Sequence, residues 1–275
     1  MPAPAGPHAT YPTWIRSRRI ALFWAIGTSV LVLAVTLAPV WPPALAGIVV
    51  ALPLLYVALV ITATSYRLGA RGGGVQRQIH QRLIDGVGSR GRLLDIGCGS
   101  GELLIRFAAL GDRTQPDELV GLDSWGDDWE YSQQQAEDNA RIEGFVGLGF
   151  VRGTASGLPF DDGAFRRVVS ALTFHEVRDV SDRVVCVREA LRVLEPGGRF
   201  AFVDLFDDRR IYGGRARVLA ALEESGGVVG TCRPLAEVVD LRWPLTMAQA
   251  LRYAVVVTGT KAGTGDAVGS AFWAR

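Results

Sequence analysis

The chain has 275 residues, 49% of them hydrophobic, and a formal net charge of +1. Such balanced charge provides no global field that would attract nucleic acid, so no nucleic-acid partner is expected. The three cysteines (Cys98, Cys186 and Cys232) are odd in number and far apart, which argues against a disulfide framework or a zinc site.

The N-terminal part contains a long apolar stretch, with no charged residue from Ile20 to Tyr66. A membrane span needs about 20 apolar residues, so this stretch is long enough for two. Because the prolines of APVWPP at 38–43 break a helix, we predict spans at 20–38 and 44–62, with a kink at Pro53. A secretory signal peptide and a buried soluble hairpin are the alternatives, and both fit this length and pattern less well.

Arginines flank the apolar stretch on both sides and are missing from its centre. By the positive-inside rule, both ends of a two-helix hairpin at 20–66 would then lie in the cytoplasm. We therefore predict a multi-pass protein of the cell membrane, with a cytoplasmic tail at 1–19. The arginines are Arg16, Arg18 and Arg19 before the stretch, and Arg67, Arg71 and Arg77 after it.

After the hairpin, residues 67–90 combine a glycine-rich linker with an amphipathic helix, and 91–275 form the main domain. Within this domain apolar strands alternate with helices, which predicts an α/β fold. The expected architecture is a Rossmann-like, mostly parallel sheet with helices on both faces. Strands are predicted at 92–96, 118–123, 147–152, 166–172, 199–205 and 252–260, helices at 101–110, 128–143, 181–194 and 214–225, and EPGG at 195–198 as a turn.

The segment LLDIGCGSGELL at 93–104 has the pattern of a buried strand that turns into a helix beneath a nucleotide. It lacks the lysine and Ser/Thr of a phosphate-binding P-loop. Its glycine spacing is GxGxG, and Glu102 stands where a dinucleotide fingerprint has its third glycine. A carboxylate there would repel a pyrophosphate on the same backbone amides, which disfavours NAD.

Two acids lie at the ends of predicted strands, at the edge where ligands bind in such sheets. Asp95 is placed to accept hydrogen bonds from a cationic amine, and Asp123 from both hydroxyls of a ribose. An amine and a ribose without a phosphate describe S-adenosylmethionine.

The motifs LLDIGCGSG, GLD, GTASGLPFDDGAFRRVVS and ALRVLEPGGRF resemble, in order and spacing, those of class I S-adenosylmethionine-dependent methyltransferases. The resemblance covers about residues 91–206 and is greatest to the small-molecule branch. It implies cofactor contacts from eight residues: Asp95, Gly97, Gly99, Gly101, Asp123, Ser124, Thr154 and Ala155.

The chain departs from the family pattern at two of these places. Thr154 replaces a common aspartate, and Ser124 then Trp125 follow the ribose acid where an apolar residue is usual. We weigh Trp125 equally as a cofactor contact and as a packing aromatic.

Methyl transfer to a hydroxyl requires a group that takes the proton. His175, in LTFHEV after the fourth strand, is the candidate general base, with Glu176 second. The alternative is that His175 only braces its loop. Asp204 faces the same cleft by position, and no metal site is expected because DLFDD lacks further ligands.

These features predict a membrane-anchored methyltransferase with S-adenosylmethionine as its cofactor and a small or lipid-like acceptor. The tether favours an acceptor that enters the bilayer, since anchoring raises its effective concentration. The alternative is an inactive cofactor-binding membrane scaffold. Residues 206–250 are expected to shape the acceptor pocket, with 241–251 as a candidate lid.

Overall fold

The computed structural model describes residues 8–111, 117–126, 129, 131–247 and 249–263. Contacts divide them into two compact units. One unit holds 12–77 and 241–249, and the other holds 8–11, 78–240 and 250–263.

Two long apolar helices dominate the first unit. They are α1, Ser17–Leu37, and α2, Gly47–Leu68. The helices pack through small residues, since a Cβ on Gly27 would lie 2.9 Å from Leu55 and one on Gly47 would lie 3.0 Å from Ala34. Both helices are long and apolar enough to cross a membrane, and only 11% and 17% of the respective windows are buried.

The amphipathic segment expected after the linker forms helix α3, Val75–Val87. Its apolar positions are buried, with Ile79 and Leu83 fully inaccessible to solvent. Gly86 lets α3 lie close to the sheet, because a Cβ there would come within 2.8 Å of Thr258. The helix is thus part of the core of its domain.

Within the described residues, seven strands form one sheet: β1 Leu93–Ile96, β2 Leu119–Asp123, β3 Gly149–Arg152, β4 Phe165–Ala171, β5 Leu194–Asp204, β6 Gly227–Pro234 and β7 Val255–Lys261. Their spatial order is β3-β2-β1-β4-β5-β7-β6. β1 to β5 pair in parallel, and β7 pairs antiparallel with both β5 and β6. The predicted mostly parallel sheet with helices on both sides is confirmed.

The remaining helices are α4 Glu102–Leu110, α5 Gln133–Ile142, α6 Val184–Arg192, α7 Arg209–Tyr212, α8 Arg215–Glu224, α9 Leu235–Val238 and α10 Gln249–Arg252. All four predicted helices of the domain have a counterpart among them. The start of the helix predicted at 128–143 lies partly outside the described residues.

Two features of the sheet differ from the prediction. Strand β6 was not predicted, because it is an edge strand with mostly exposed side chains and no buried apolar run. The EPGG turn lies inside β5, where the β4 pairing shifts register between Phe165 and Arg167. Gly197 has φ +76 in this bulge.

Candidate active site

The glycine turn connects β1 to α4 through three residues with positive φ: Gly97 (+79), Gly99 (+54) and Gly101 (+82). Glycine is also required at 97 by a close approach, since a Cβ there would lie 2.0 Å from the Thr173 Oγ1 atom. At Gly97 the turn therefore presents bare backbone beside Thr173, which follows β4.

Asp95 lies on β1 immediately before this turn and is 1% exposed. Among the described residues, no hydrogen-bond donor reaches its buried Oδ2 atom. Burial, with a further contribution from the charge of Asp123, raises the Asp95 pKa to about 8. A buried carboxyl oxygen without a donor is the feature expected where a ligand supplies the donor.

Asp123, at the end of β2, is tied to the glycine turn by hydrogen bonds. Its two carboxyl oxygens accept the backbone N–H groups of Gly99 and Trp125, each at 2.9 Å. Burial raises the Asp123 pKa, and these N–H groups oppose part of that rise. The Ser124 N–H also interacts with this carboxylate. A carboxylate has about four acceptor positions, which leaves room for a donor from a ligand.

Trp125 packs beneath the turn in a cluster with Cys98 and Ala136. Its indole Nε1 donates to the Gly99 carbonyl at 2.9 Å, so Asp123 and Trp125 together hold both backbone polar groups of Gly99. The ring is 6% exposed and its backbone φ is +42. This geometry favours the packing role for Trp125.

Thr154 and Ala155 lie in the loop after β3. The Thr154 and Ser156 hydroxyls are 2.9 Å apart, and the Ser156 hydroxyl donates to Asp179 at 2.6 Å. The Thr154 hydroxyl thus belongs to one hydrogen-bonded group with Ser156 and Asp179, while Ala155 is buried. Ser124 is exposed, and its carbonyl accepts a hydrogen bond from Arg152 at 3.3 Å.

His175 lies in a short 3₁₀ turn, Phe174–Glu176, just after β4. Its Nδ1 atom is 2.9 Å from Asp204 Oδ1, and its Nε2 atom is 3.5 Å from Glu176 Oε1. Burial lowers the His175 pKa, but the charge and hydrogen bond of Asp204, together with the charge of Glu176, outweigh this effect and raise it overall. The imidazole is thus oriented by a carboxylate from the adjacent strand.

Asp204 ends β5 and is fully buried. Besides His175, it accepts the backbone N–H groups of Phe174 at 2.8 Å and Leu205 at 2.7 Å, and the Tyr212 hydroxyl at 3.0 Å. From the sequence we expected Asp204 at the cleft, but without a partner, and Tyr212 was not identified. The sequence signal for Asp204 was an acid at the end of a predicted strand. That strand is the neighbour of the strand that ends just before His175.

The segment His8–Tyr11 also reaches this region. Asn139 of α5 accepts the Thr10 N–H and donates to the Thr10 carbonyl, both at 2.9 Å. The same side-chain amide donates to the carbonyl of Ser100 in the glycine turn at 2.9 Å. Among the described residues, no group of three or more His, Cys, Asp or Glu side chains is arranged to hold a metal ion.

Residues 94–202 match the family model Methyltransf_11, described as a methyltransferase domain. An O-methyltransferase, rstn1, of Aspergillus nomiae is 31% identical over 132 residues, which are 48% of this chain and 53% of that protein. A ubiquinone/menaquinone biosynthesis C-methyltransferase, UbiE, of Shewanella sediminis is 30% identical over 135 residues, 48% of this chain and 50% of its own. The chain thus spans about half the length of these relatives.

The fold resembles that of geranyl diphosphate C-methyltransferase from Streptomyces coelicolor, solved with Mg²⁺, geranyl diphosphate and S-adenosylhomocysteine. The TM-score is 0.54 and the identity 18%, over 70% of this chain and 82% of that one. This likeness concerns the fold alone. The family match supports a methyltransferase domain at 94–202.

Proposed function

We propose that the chain is an S-adenosylmethionine-dependent methyltransferase whose domain at 91–275 transfers a methyl group to a small, hydrophobic acceptor. The observation that carries the proposal is the buried Asp95 Oδ2 beside the glycine turn, for which no donor is found among the described residues. A domain that no longer bound a ligand here would not need to keep this oxygen without a donor, at the cost of its desolvation, and the family match to a methyltransferase domain speaks against an inactive scaffold. That alternative is not favoured.

The residues around the turn suit S-adenosylmethionine. Asp95 would hold the cationic amine of its methionine part, and Gly97, Gly99 and Gly101 would let the ligand approach the backbone. Asp123 would accept the ribose hydroxyls, with Ser124 nearby and Thr154 and Ala155 beside the adenine. When bound, the cofactor supplies a methyl carbon whose bond to the sulfonium breaks, with the electron pair staying on sulfur.

The role proposed for His175 is to take the proton of the acceptor. Its Nδ1 atom faces Asp204, which leaves Nε2 for the proton that the acceptor loses. Glu176, 3.5 Å from Nε2, would stabilise the imidazolium that results. The steps assigned to this chain are therefore cofactor orientation and proton removal.

We propose that α1 and α2 cross the cell membrane, and that the tail at 1–19 and the domain lie in the cytoplasm. The exposed apolar side chains of both helices support this. Leu22 and Val32 of α1, for example, are 56% and 60% exposed. A hairpin that crosses twice also fits the bond between Thr10 and Asn139, because these residues flank it in sequence.

A tethered enzyme would favour an acceptor that partitions into the bilayer. Leu241–Gln249, most of the segment expected as a lid, belong to the same compact unit as the hairpin. Trp243 and Met247 in that segment are more than half exposed. The relatives carry the names of O- and C-methyltransferases, so similarity does not decide the accepting atom.

The test is transfer of labelled methyl from S-adenosylmethionine by the full-length protein, supplied with membranes of its host. Label in the organic extract supports a hydrophobic acceptor, and label in the aqueous extract alone supports a soluble one. If no label is transferred although S-adenosylhomocysteine binds, the proposed activity is wrong.

Replacing His175 tests its role as the base. We expect His175→Ala to lower kcat by roughly 100-fold or more, since a general base contributes on this order. The dissociation constant for S-adenosylhomocysteine, measured by calorimetry, should change little. An unchanged kcat would show that His175 only braces the loop.

A further inference from the structure

We propose that Asp204 and Tyr212 are positioning residues that hold His175 with its proton on Nδ1, so that Nε2 removes the proton of a hydroxyl acceptor. The inference rests on the proposed methyl transfer and deepens it, because it names the accepting atom. Its first test needs no acceptor and no turnover, so it can fail while the proposed activity stands.

The hydrogen bonds around Asp204 determine which ring nitrogen of His175 carries the proton. The Phe174 N–H reaches Oδ2, and the Leu205 N–H reaches Oδ1. Backbone N–H groups can only donate, so they favour the ionised carboxylate, which can only accept. The His175 nitrogen at 2.9 Å from Oδ1 must then be the donor, and Nε2 of the neutral ring is left with a lone pair.

Tyr212 completes this arrangement from α7. Its hydroxyl is buried and donates to Asp204 Oδ1 at 3.0 Å. Burial and the nearby charge of Asp204 raise the Tyr212 pKa well above its usual value, so the hydroxyl keeps its proton. The carboxylate is therefore held from β4, β5 and α7 at once, and the imidazole cannot turn without breaking its bond to Asp204.

A base oriented in this way is useful for one class of acceptor. A carboxylic acid is ionised at neutral pH, a thiol supplies a small but highly nucleophilic thiolate fraction, and a neutral amine already offers its lone pair. An alcohol or phenol keeps its proton at neutral pH and needs a base. In the reaction the acceptor O–H bond breaks, its proton goes to Nε2, and the oxygen electron pair forms the new bond to the methyl carbon.

The charged groups around His175 predict opposite effects for two substitutions. Asp204 faces Nδ1 and Glu176 faces Nε2, while Tyr212 and Cys186 lie near Asp204. Asp204→Asn removes the main stabilising charge and should lower the His175 pKa. Tyr212→Phe removes a competing donor from Oδ1, so it should raise the same pKa by a smaller amount.

The experiment is a pH titration of the full-length protein in nanodiscs, labelled with ¹⁵N on its histidine rings and saturated with S-adenosylhomocysteine. The chain has three histidines, so His175 is assigned by comparison with His175→Ala. Above the midpoint we expect a protonated Nδ1 and an unprotonated Nε2 in the wild type. Asp204→Asn should lose this preference and shift the midpoint down, and Tyr212→Phe should shift it up.

Glu176→Gln is the matched control, because it removes a charge near Nε2 and leaves the Asp204 bond in place. It should lower the midpoint without changing the tautomer. Signals of His8 and His80 should not move in any variant. The proposal is wrong if the neutral wild-type ring of His175 is protonated on Nε2, or if Asp204→Asn leaves the tautomer unchanged. If the asparagine variant does not fold, Tyr212→Phe provides the test.

The acceptor class is tested on the labelled product of the transfer assay by heating it in hydriodic acid. Methyl esters are first removed by mild alkaline hydrolysis, and a methyl ether then releases its label as volatile methyl iodide, as expected here. Label that stays with the product after this treatment would lie on carbon, nitrogen or sulfur and contradict a hydroxyl acceptor.

Discussion

Asp95 combines deep burial, an oxygen without a donor among the described residues, and a second acid nearby. Its pKa of about 8 means that the free protein holds a proton on this carboxyl at pH 7. A cationic amine bound at Oδ2 would favour the charged form and bring the pKa down. Ligand binding and proton release at Asp95 should therefore be coupled.

This coupling can be measured. We expect S-adenosylhomocysteine to release close to one proton as it binds at pH 7, and its affinity to rise up to tenfold per pH unit from pH 6 to 7.5. Calorimetry in two buffers of different ionisation enthalpy gives the number of protons. Asp95→Asn should bind more weakly and release none, and equal release by both proteins would place the proton elsewhere.

At the scale of single residues, the sequence indicated the contributors to the site but not the bonds between them. Asp95 and the three glycines are adjacent in the chain, so one motif identifies them. His175 and Asp204 lie 29 positions apart and meet because β4 and β5 are neighbours in the sheet. Tyr212 is in a helix of four residues that no periodic pattern marks.

At the scale of elements, the docked segment before α1 is the least expected feature. Thr10 exchanges two backbone hydrogen bonds with the Asn139 side chain, in the way that two strands pair. The same amide donates to the carbonyl of Ser100 in the glycine turn. Docking of this segment and order in the turn should therefore depend on each other.

Thr10→Pro tests this link, because it removes the N–H that Asn139 accepts and keeps the carbonyl. A hydrogen bond contributes about 1 kcal/mol, so affinity for S-adenosylhomocysteine should fall by up to roughly fivefold. Thr10→Ala keeps both backbone groups and should bind like the wild type. Equal affinity in all three proteins would show that the turn is independent of the segment.

The buried elements of the domain were predictable and its edge was not. β1, β2, β4 and β5 are apolar runs covered on both faces, and such runs are visible in a sequence. β6 lies at the edge, where GVVGTCRP has glycines, a proline and alternating exposure. It is held by its pairing with β7, which the sequence does not reveal.

At the scale of the whole molecule, the apolar hairpin lies in sequence between the short segment His8–Tyr11 and the rest of the domain to which that segment belongs. Both ends of the hairpin must lie on the same side of any membrane if the Thr10 bond to Asn139 forms. The connection at 38–46 then lies on the opposite side. This topology can be tested without knowledge of the substrate.

Two cysteine substitutions distinguish the sides. Val40, between the helices, is 82% exposed, and Val146, in the domain, is 93% exposed. In a Cys232→Ser background, a membrane-impermeant maleimide should label Val40→Cys in intact spheroplasts and Val146→Cys only after lysis. If neither introduced cysteine is labelled before lysis, the proposed membrane crossing is wrong. If both are labelled before lysis, the proposed cytoplasmic location of the domain is wrong.

The bond between Thr10 and Asn139 has a consequence for biogenesis. During synthesis Thr10 leaves the ribosome 129 residues before its partner, a delay on the order of ten seconds. In the proposed topology both apolar helices are translated within that interval, and the tail must stay on the ribosome's side while they enter the bilayer. A tail that had crossed the membrane could not reach Asn139 when that residue emerged. Correct insertion of the hairpin would therefore come before the contact between Thr10 and Asn139 that supports the glycine turn.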